Sequence, residues 1–251
     1  MEQLAGEDME HYFAYYYTGS PFVLFGPAHI GALAALILLN IALIWRFKKA
    51  PEKARRRAAY VIAAVLWLNE IAWHVWNYKN GIWTVQTMLP LHICSLLVWA
   101  GGLMLITKNY FIYEFIYFMG IGGASQVLIT PYLDIYGFPH FRFFQSFISH
   151  GLIVSIAIYM TMVEGLRPTW KSLLRVALWM NIYLAVIFVV NTLTGSNYLF
   201  LAEKPPVATV LDLFPEWPWY ILWIEVIGVA ISLILYLPFA IQDWRVKIKA
   251  A

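Results

Sequence analysis

The chain contains seven apolar stretches, each about long enough to cross a bilayer, and this most constrains what it can fold into. They are expected at 24–45, 58–77, 89–107, 110–130, 142–164, 172–194 and 218–241. A hydrocarbon core of ~30 Å needs about 20 helical residues at ~1.5 Å each. The fold class is therefore all-α, a polytopic membrane bundle of seven transmembrane helices. Only 12% of the residues are charged, against about 25% in a soluble domain, so a soluble enzyme and a disordered chain are excluded. A β-barrel would need alternating segments of about ten residues, and none is present. The net charge of +3 does not imply nucleic acid, because the basic residues sit at the ends of the stretches. One cysteine, Cys94, allows no internal disulfide and no zinc site built on thiolates.

Three regions follow: an interfacial N-terminal segment, 1–23; one membrane domain, 24–241; and a short basic tail, 242–251. Residues 1–10 are acidic where a signal peptide is basic, so none is expected. The aromatic run from Tyr12 to Tyr17 suits a membrane interface. Orientation follows from lysine and arginine. Fourteen of the 17 fall on one side of a seven-span chain, and only Lys79, Arg142 and Lys204 fall on the other. The N-terminus is expected outside and the C-terminus in the cytoplasm, with the plasma membrane as the location.

Ionisable groups inside a bilayer are costly and mark function. Sorted by depth, they gather in the outer halves of their spans. His29 lies in the first, Glu70 and His74 in the second, His92 and Cys94 in the third, and Gln126 in the fourth. Arg142 and His150 follow in the fifth, Asn191 and Asn197 at the end of the sixth, and Glu225 in the seventh. Successive helices run in opposite directions, so a shared depth suggests one polar cavity. Interhelical hydrogen bonds that pin the bundle are the alternative.

Cys94 is a packed hydrophobe unless a base activates it. His150 lies eight to ten residues into its span, and helix tilt could bring the two together. A cysteine and a histidine on neighbouring helices form a thiolate and then protonate a leaving group. His92 stands two residues before Cys94, about 200° round an ideal helix, and should face elsewhere. His74, four residues after Glu70, shares its face. Arg142 is either a phosphate clamp or a snorkelling side chain. The histidines lack HExxH-like spacing, so no metal is expected.

The strings Met88-Leu89-Pro90-Leu91-His92-Ile93-Cys94-Ser95-Leu96, Ser149-His150-Gly151, Thr194-Gly195-Ser196-Asn197-Tyr198-Leu199-Phe200-Leu201 with Lys204-Pro205, and Trp217-Pro218-Trp219-Tyr220 occur in order along the chain. Together they resemble the bacterial YwaF-type integral membrane family, related to eukaryotic transmembrane protein 164. The eukaryotic relative is regarded as a phospholipid acyltransferase using a cysteine on one helix and a histidine on another. The resemblance puts those roles on Cys94 and His150.

The expected activity is thiol-dependent transfer of an acyl group between phospholipids and lysophospholipids. Asn191, Gln126 or Asn197 would stabilise the oxyanion, with Glu70 and His74 orienting the site. A lipid can donate the acyl group itself, so no cofactor is expected. The alternative is a carrier or lipid-binding protein using the same cavity, although the inverted repeat of many carriers is not visible. A retinal protein is excluded, because the seventh span has no lysine for a Schiff base.

Overall fold

The computed structural model describes residues 11–205 and 210–250, so the acidic residues 1–10 lie outside the described part. Seven apolar helices follow one another among the described residues: α1 (Pro27–Phe47), α2 (Glu52–Lys79), α3 (Ile93–Thr107), α4 (Tyr110–Ile129), α5 (Phe141–Met162), α6 (Trp170–Thr194) and α7 (Trp219–Ala250). No strand occurs among the described residues. Six of the helices are long and apolar enough to cross a membrane. The exception, α3, has 15 residues and a rise of about 22 Å, short of a hydrocarbon core.

Local chemistry sets the ends. Pro27 opens α1, where a missing amide hydrogen costs nothing. Thr169 and Ser172 form a reciprocal capping box at the start of α6, and Gly195 closes that helix with φ +67°. Asn109 caps α4 by accepting from the amides of Phe111 and Ile112. Within α4, Ile116–Ala124 is π-helical, a winding that in short form often accompanies functional sites.

The most buried helix is α5, which packs against α1, α2, α3 and α4. Its contacts give the directions of its neighbours. The α2 residues Arg55 and Asn69 donate to the carbonyls of Val163 and Gln145, so α2 runs against α5. Leu66 and Trp67 of α2 meet Gly101 and Gly102, and Glu70 stands by Ser95, so α2 also runs against α3. Helices α3 and α5 are therefore parallel. They touch where Gly101 meets Ile156 and its missing side chain allows close approach. On α1, Leu36 and Asn40 meet Gly151 and Ser155, parallel to α5.

The bundle thus has two ends. The basic end carries Arg46, Lys108, Arg167 and Arg175. The aromatic end carries Tyr15, Trp73, Trp76, Tyr136 and Trp217.

Candidate active site at the aromatic end

The helix that carries Cys94 begins at Ile93, four residues into the 89–107 stretch, and the chain is irregular over 88–92. Two tyrosines satisfy that irregular backbone. Tyr183 of α6 donates to the Leu91 carbonyl (2.9 Å), and the Leu89 amide donates to the Tyr198 hydroxyl (2.9 Å). Non-helical backbone persists at membrane depth only where protein shields it in this way. Cys94 is therefore the second residue of α3, not the sixth helical residue that the 89–107 stretch implies.

A first-turn position puts Cys94 among the amides that have no acceptor within their own helix. Among the described residues, the amides of Ile93, Cys94 and Ser95 find no acceptor, and His92 does not cap the helix through its side chain. The Cys94 side chain is half-buried and packs on the main apolar core.

His150 is half-buried on α5. Its Nδ1 lies 2.9 Å from the Ser146 carbonyl oxygen. A carbonyl only accepts, so Nδ1 carries the proton and Nε2 keeps its lone pair. From the Gly101–Ile156 contact, Cys94 is seven residues back along α3 and His150 six residues back along α5. At ~1.5 Å per residue the two stand within about 2 Å of one depth.

Glu70 of α2 is 2% exposed and within electrostatic reach of the Cys94 thiol. The Ser95 hydroxyl stands beside its carboxylate and the Arg142 guanidinium lies within electrostatic reach of it, while its Oε1 has no hydrogen-bond partner. His74 Nε2 is 3.8 Å from that oxygen. The indole of Trp83 donates to His74 Nδ1 (3.1 Å), which puts the ring proton on Nε2, facing Glu70. Arg142 stacks 3.8 Å from the centre of the Trp73 ring and donates to the Gln145 side chain. No carboxylate lies within 4.0 Å of it among the described residues.

The other expected site residues make contacts of their own. His92 precedes the helix, so helical direction does not apply to it. It packs against Tyr198 and Phe200, with centroids 5.1 and 5.7 Å away. Asn191 is buried and bonds Ser196 Oγ and both backbone groups of Tyr198. Asn197 bonds Ala202 and Glu203. Both amides are engaged in the turn after α6. Gln126 is exposed. His29 and His140, fully buried, brace backbone at Phe25, Leu128 and Ala14.

Sequence reasoning missed Gln145 and Ser95, two ordinary polar residues whose only signal is their position beside Arg142 and Cys94. No group of three histidine, cysteine or acidic side chains is placed to hold a metal ion among the described residues.

The fold defines a multipass helical membrane protein with a polar cluster set between its helices at one end. Within that class the chain belongs to the TMEM164 family, whose sequence profile matches residues 24–236. It is also similar to an uncharacterized protein of Treponema pallidum (strain Nichols), 23% identical over 87% of this chain and 90% of that one. No solved structure matches.

Proposed function

We propose that the protein is a thiol-dependent phospholipid acyltransferase or transacylase. The observation that carries the reading is the placement of Cys94 in the first turn of α3, level with the His150 imidazole on the parallel helix α5. His150 Nε2 takes the thiol proton, and the sulfur attacks the carbonyl carbon of an acyl ester. The tetrahedral oxyanion forms beside the free amides of Ile93, Cys94 and Ser95. Backbone donors of this kind are the usual oxyanion stabilisers, and they replace the engaged amides of Asn191 and Asn197 in that role. The C–O bond then breaks, the departing lysolipid oxygen takes the proton from His150, and the acyl group remains on sulfur as a thioester. In the return step His150 accepts the proton of an acceptor hydroxyl, whose oxygen attacks the thioester and frees the thiolate, which regains that proton. Glu70 and His74 position the α2 wall of the site.

The same reading has the chain cross the plasma membrane seven times, with the N-terminus outside. The irregular segment 88–92 extends α3 far enough for the seventh crossing. Support comes from the alternating helix directions and from the gathering of lysine and arginine at one end.

The test is acyl exchange between two phospholipids with isotopically distinct chains, using the purified full-length protein. Wild type should exchange the chains and Cys94→Ala should not. Cys94→Ser should retain little activity, because a hydroxyl is a far weaker nucleophile at neutral pH. Full exchange in Cys94→Ser would overturn the thiol mechanism, and lipid binding without exchange by wild type would favour a carrier that uses the polar cluster only for binding.

A further inference from the structure

Beside Arg142, at the same end of the bundle, lies a cavity of about 290 Å³. This is near the ~300 Å³ lower bound for small-molecule sites, so it suits a headgroup rather than a whole lipid. Tyr15, Tyr16, Tyr132 and Tyr136 line it, together with Asp134 and Arg142. Its walls come from two distant segments joined by two contacts. The Tyr136 hydroxyl donates to the Tyr15 carbonyl (2.8 Å), and His140 Nε2 lies 3.0 Å from the Ala14 carbonyl oxygen. Asp134, exposed, holds its loop by accepting the Phe22 amide on its backbone carbonyl (2.9 Å), and its carboxylate pairs with no cation among the described residues.

We infer that this cavity receives the zwitterionic headgroup of the phospholipid, its phosphate on Arg142 and its ammonium among the tyrosine rings and Asp134. Two kinds of complementary group meet in one small space. A planar guanidinium with no carboxylate partner takes a phosphate oxygen pair. Aromatic faces with one carboxylate take an alkylammonium or quaternary ammonium through cation–π attraction. A purely anionic headgroup would leave the tyrosines unused and would face Asp134.

The position suits the chemistry. Arg142 turns inward, as its contacts with Gln145 and Trp73 show. His150 lies eight residues further along α5, about 12 Å deeper. The acyl esters of a glycerophospholipid lie a few bonds below the phosphate, in the same direction. The inference rests on the acyltransferase reading for its lipid but not on the Cys94 chemistry.

The test therefore uses full-length protein carrying Cys94→Ala, which cannot turn lipid over. In neutral detergent it is titrated with short-chain phosphatidylcholine, phosphatidylethanolamine and phosphatidylglycerol of identical chains, with tryptophan fluorescence as readout. The two amine-bearing lipids should bind about tenfold tighter than phosphatidylglycerol. Asp134→Asn and Tyr16→Leu, both exposed and safe for folding, should each weaken only the amine-bearing lipids, by about threefold. Arg142→Gln should weaken all three by about tenfold.

Equal binding of the three lipids, unmoved by Asp134→Asn and Tyr16→Leu, would overturn the site. Glycerophosphocholine binding as tightly as the diacyl lipid would make this a site for a soluble phosphodiester and remove the lipid assignment. Acylation of wild-type Cys94 at equal rates from choline and glycerol lipids would leave the acyl-enzyme standing without this pocket. Headgroup preference without acylation would do the reverse.

Discussion

The two ends of the bundle treat their charges differently. At the basic end, each buried carboxylate has a cation within 4.0 Å. Glu114 of α4 is held by the guanidinium of Arg175 on α6. Glu164, after α5, takes Lys108 at 2.7 Å and Arg55 at 3.8 Å. Arg167 and Asp243 close the same end between the α5–α6 turn and α7. At the aromatic end, among the described residues, Glu70 has no lysine or arginine within 4.0 Å, only His74 at 3.8 Å, and Arg142 has no carboxylate within 4.0 Å. Breaking a buried pair is strongly destabilising, while leaving a buried group underused is costly from the start. Charges at the first end hold loops together. On the proposed reading, those at the second meet a substrate beside Cys94 and His150.

Substitutions at the two ends should separate activity from stability. The largest effect is expected from His150→Ala, which should slow acyl exchange by roughly 10²–10⁴, as for loss of a general base, with the thermal midpoint nearly unchanged. A drop in midpoint that explains the lost rate would make His150 structural. Glu164→Ala should do the opposite. It should destabilise by about 2–3 kcal/mol, the scale of a lost charged hydrogen bond, while exchange per folded molecule persists. Asn191→Ala should cost about 1–3 kcal/mol by freeing the buried groups around Tyr198. Its exchange rate, corrected for folding, should fall far less than that of His150→Ala. The smallest change is expected from Gln126→Ala: stability within about 0.5 kcal/mol, as for exposed substitutions, and exchange within twofold. A large rate loss there would return Gln126 to the site.

Much of this architecture was legible in the chain, and the misses have a common cause. The apolar runs predict α1, α4, α5 and α6 to within three residues at each end, because caps such as Pro27, Asn109 and Thr169 act locally. The shared depth of Glu70, Cys94 and His150 follows from alternating helix direction and was readable too. The start of α3 was not. Pro90 reads as a helix opening, yet 88–92 stays irregular because Tyr183 and Tyr198, about a hundred residues away, satisfy its backbone. Asn191 and Asn197 looked like site residues because the sequence gives polarity but not partners, and their partners are in their own turn. Nor does any local pattern announce the π-helical stretch, apart from the glycines Gly120, Gly122 and Gly123. It packs against α5 and α7.

The central claim is that the underused end of the bundle is where an acyl group becomes covalently held. Cys94 is the chain's single thiol, so the most direct measurement is the intact mass of the full-length protein after incubation with a phospholipid of one defined acyl chain. The account predicts an added mass equal to that one acyl group, located on the peptide containing Cys94, removed by hydroxylamine and absent from Cys94→Ala. An unmodified mass under conditions where acyl exchange proceeds, or the same adduct on Cys94→Ala, would contradict it.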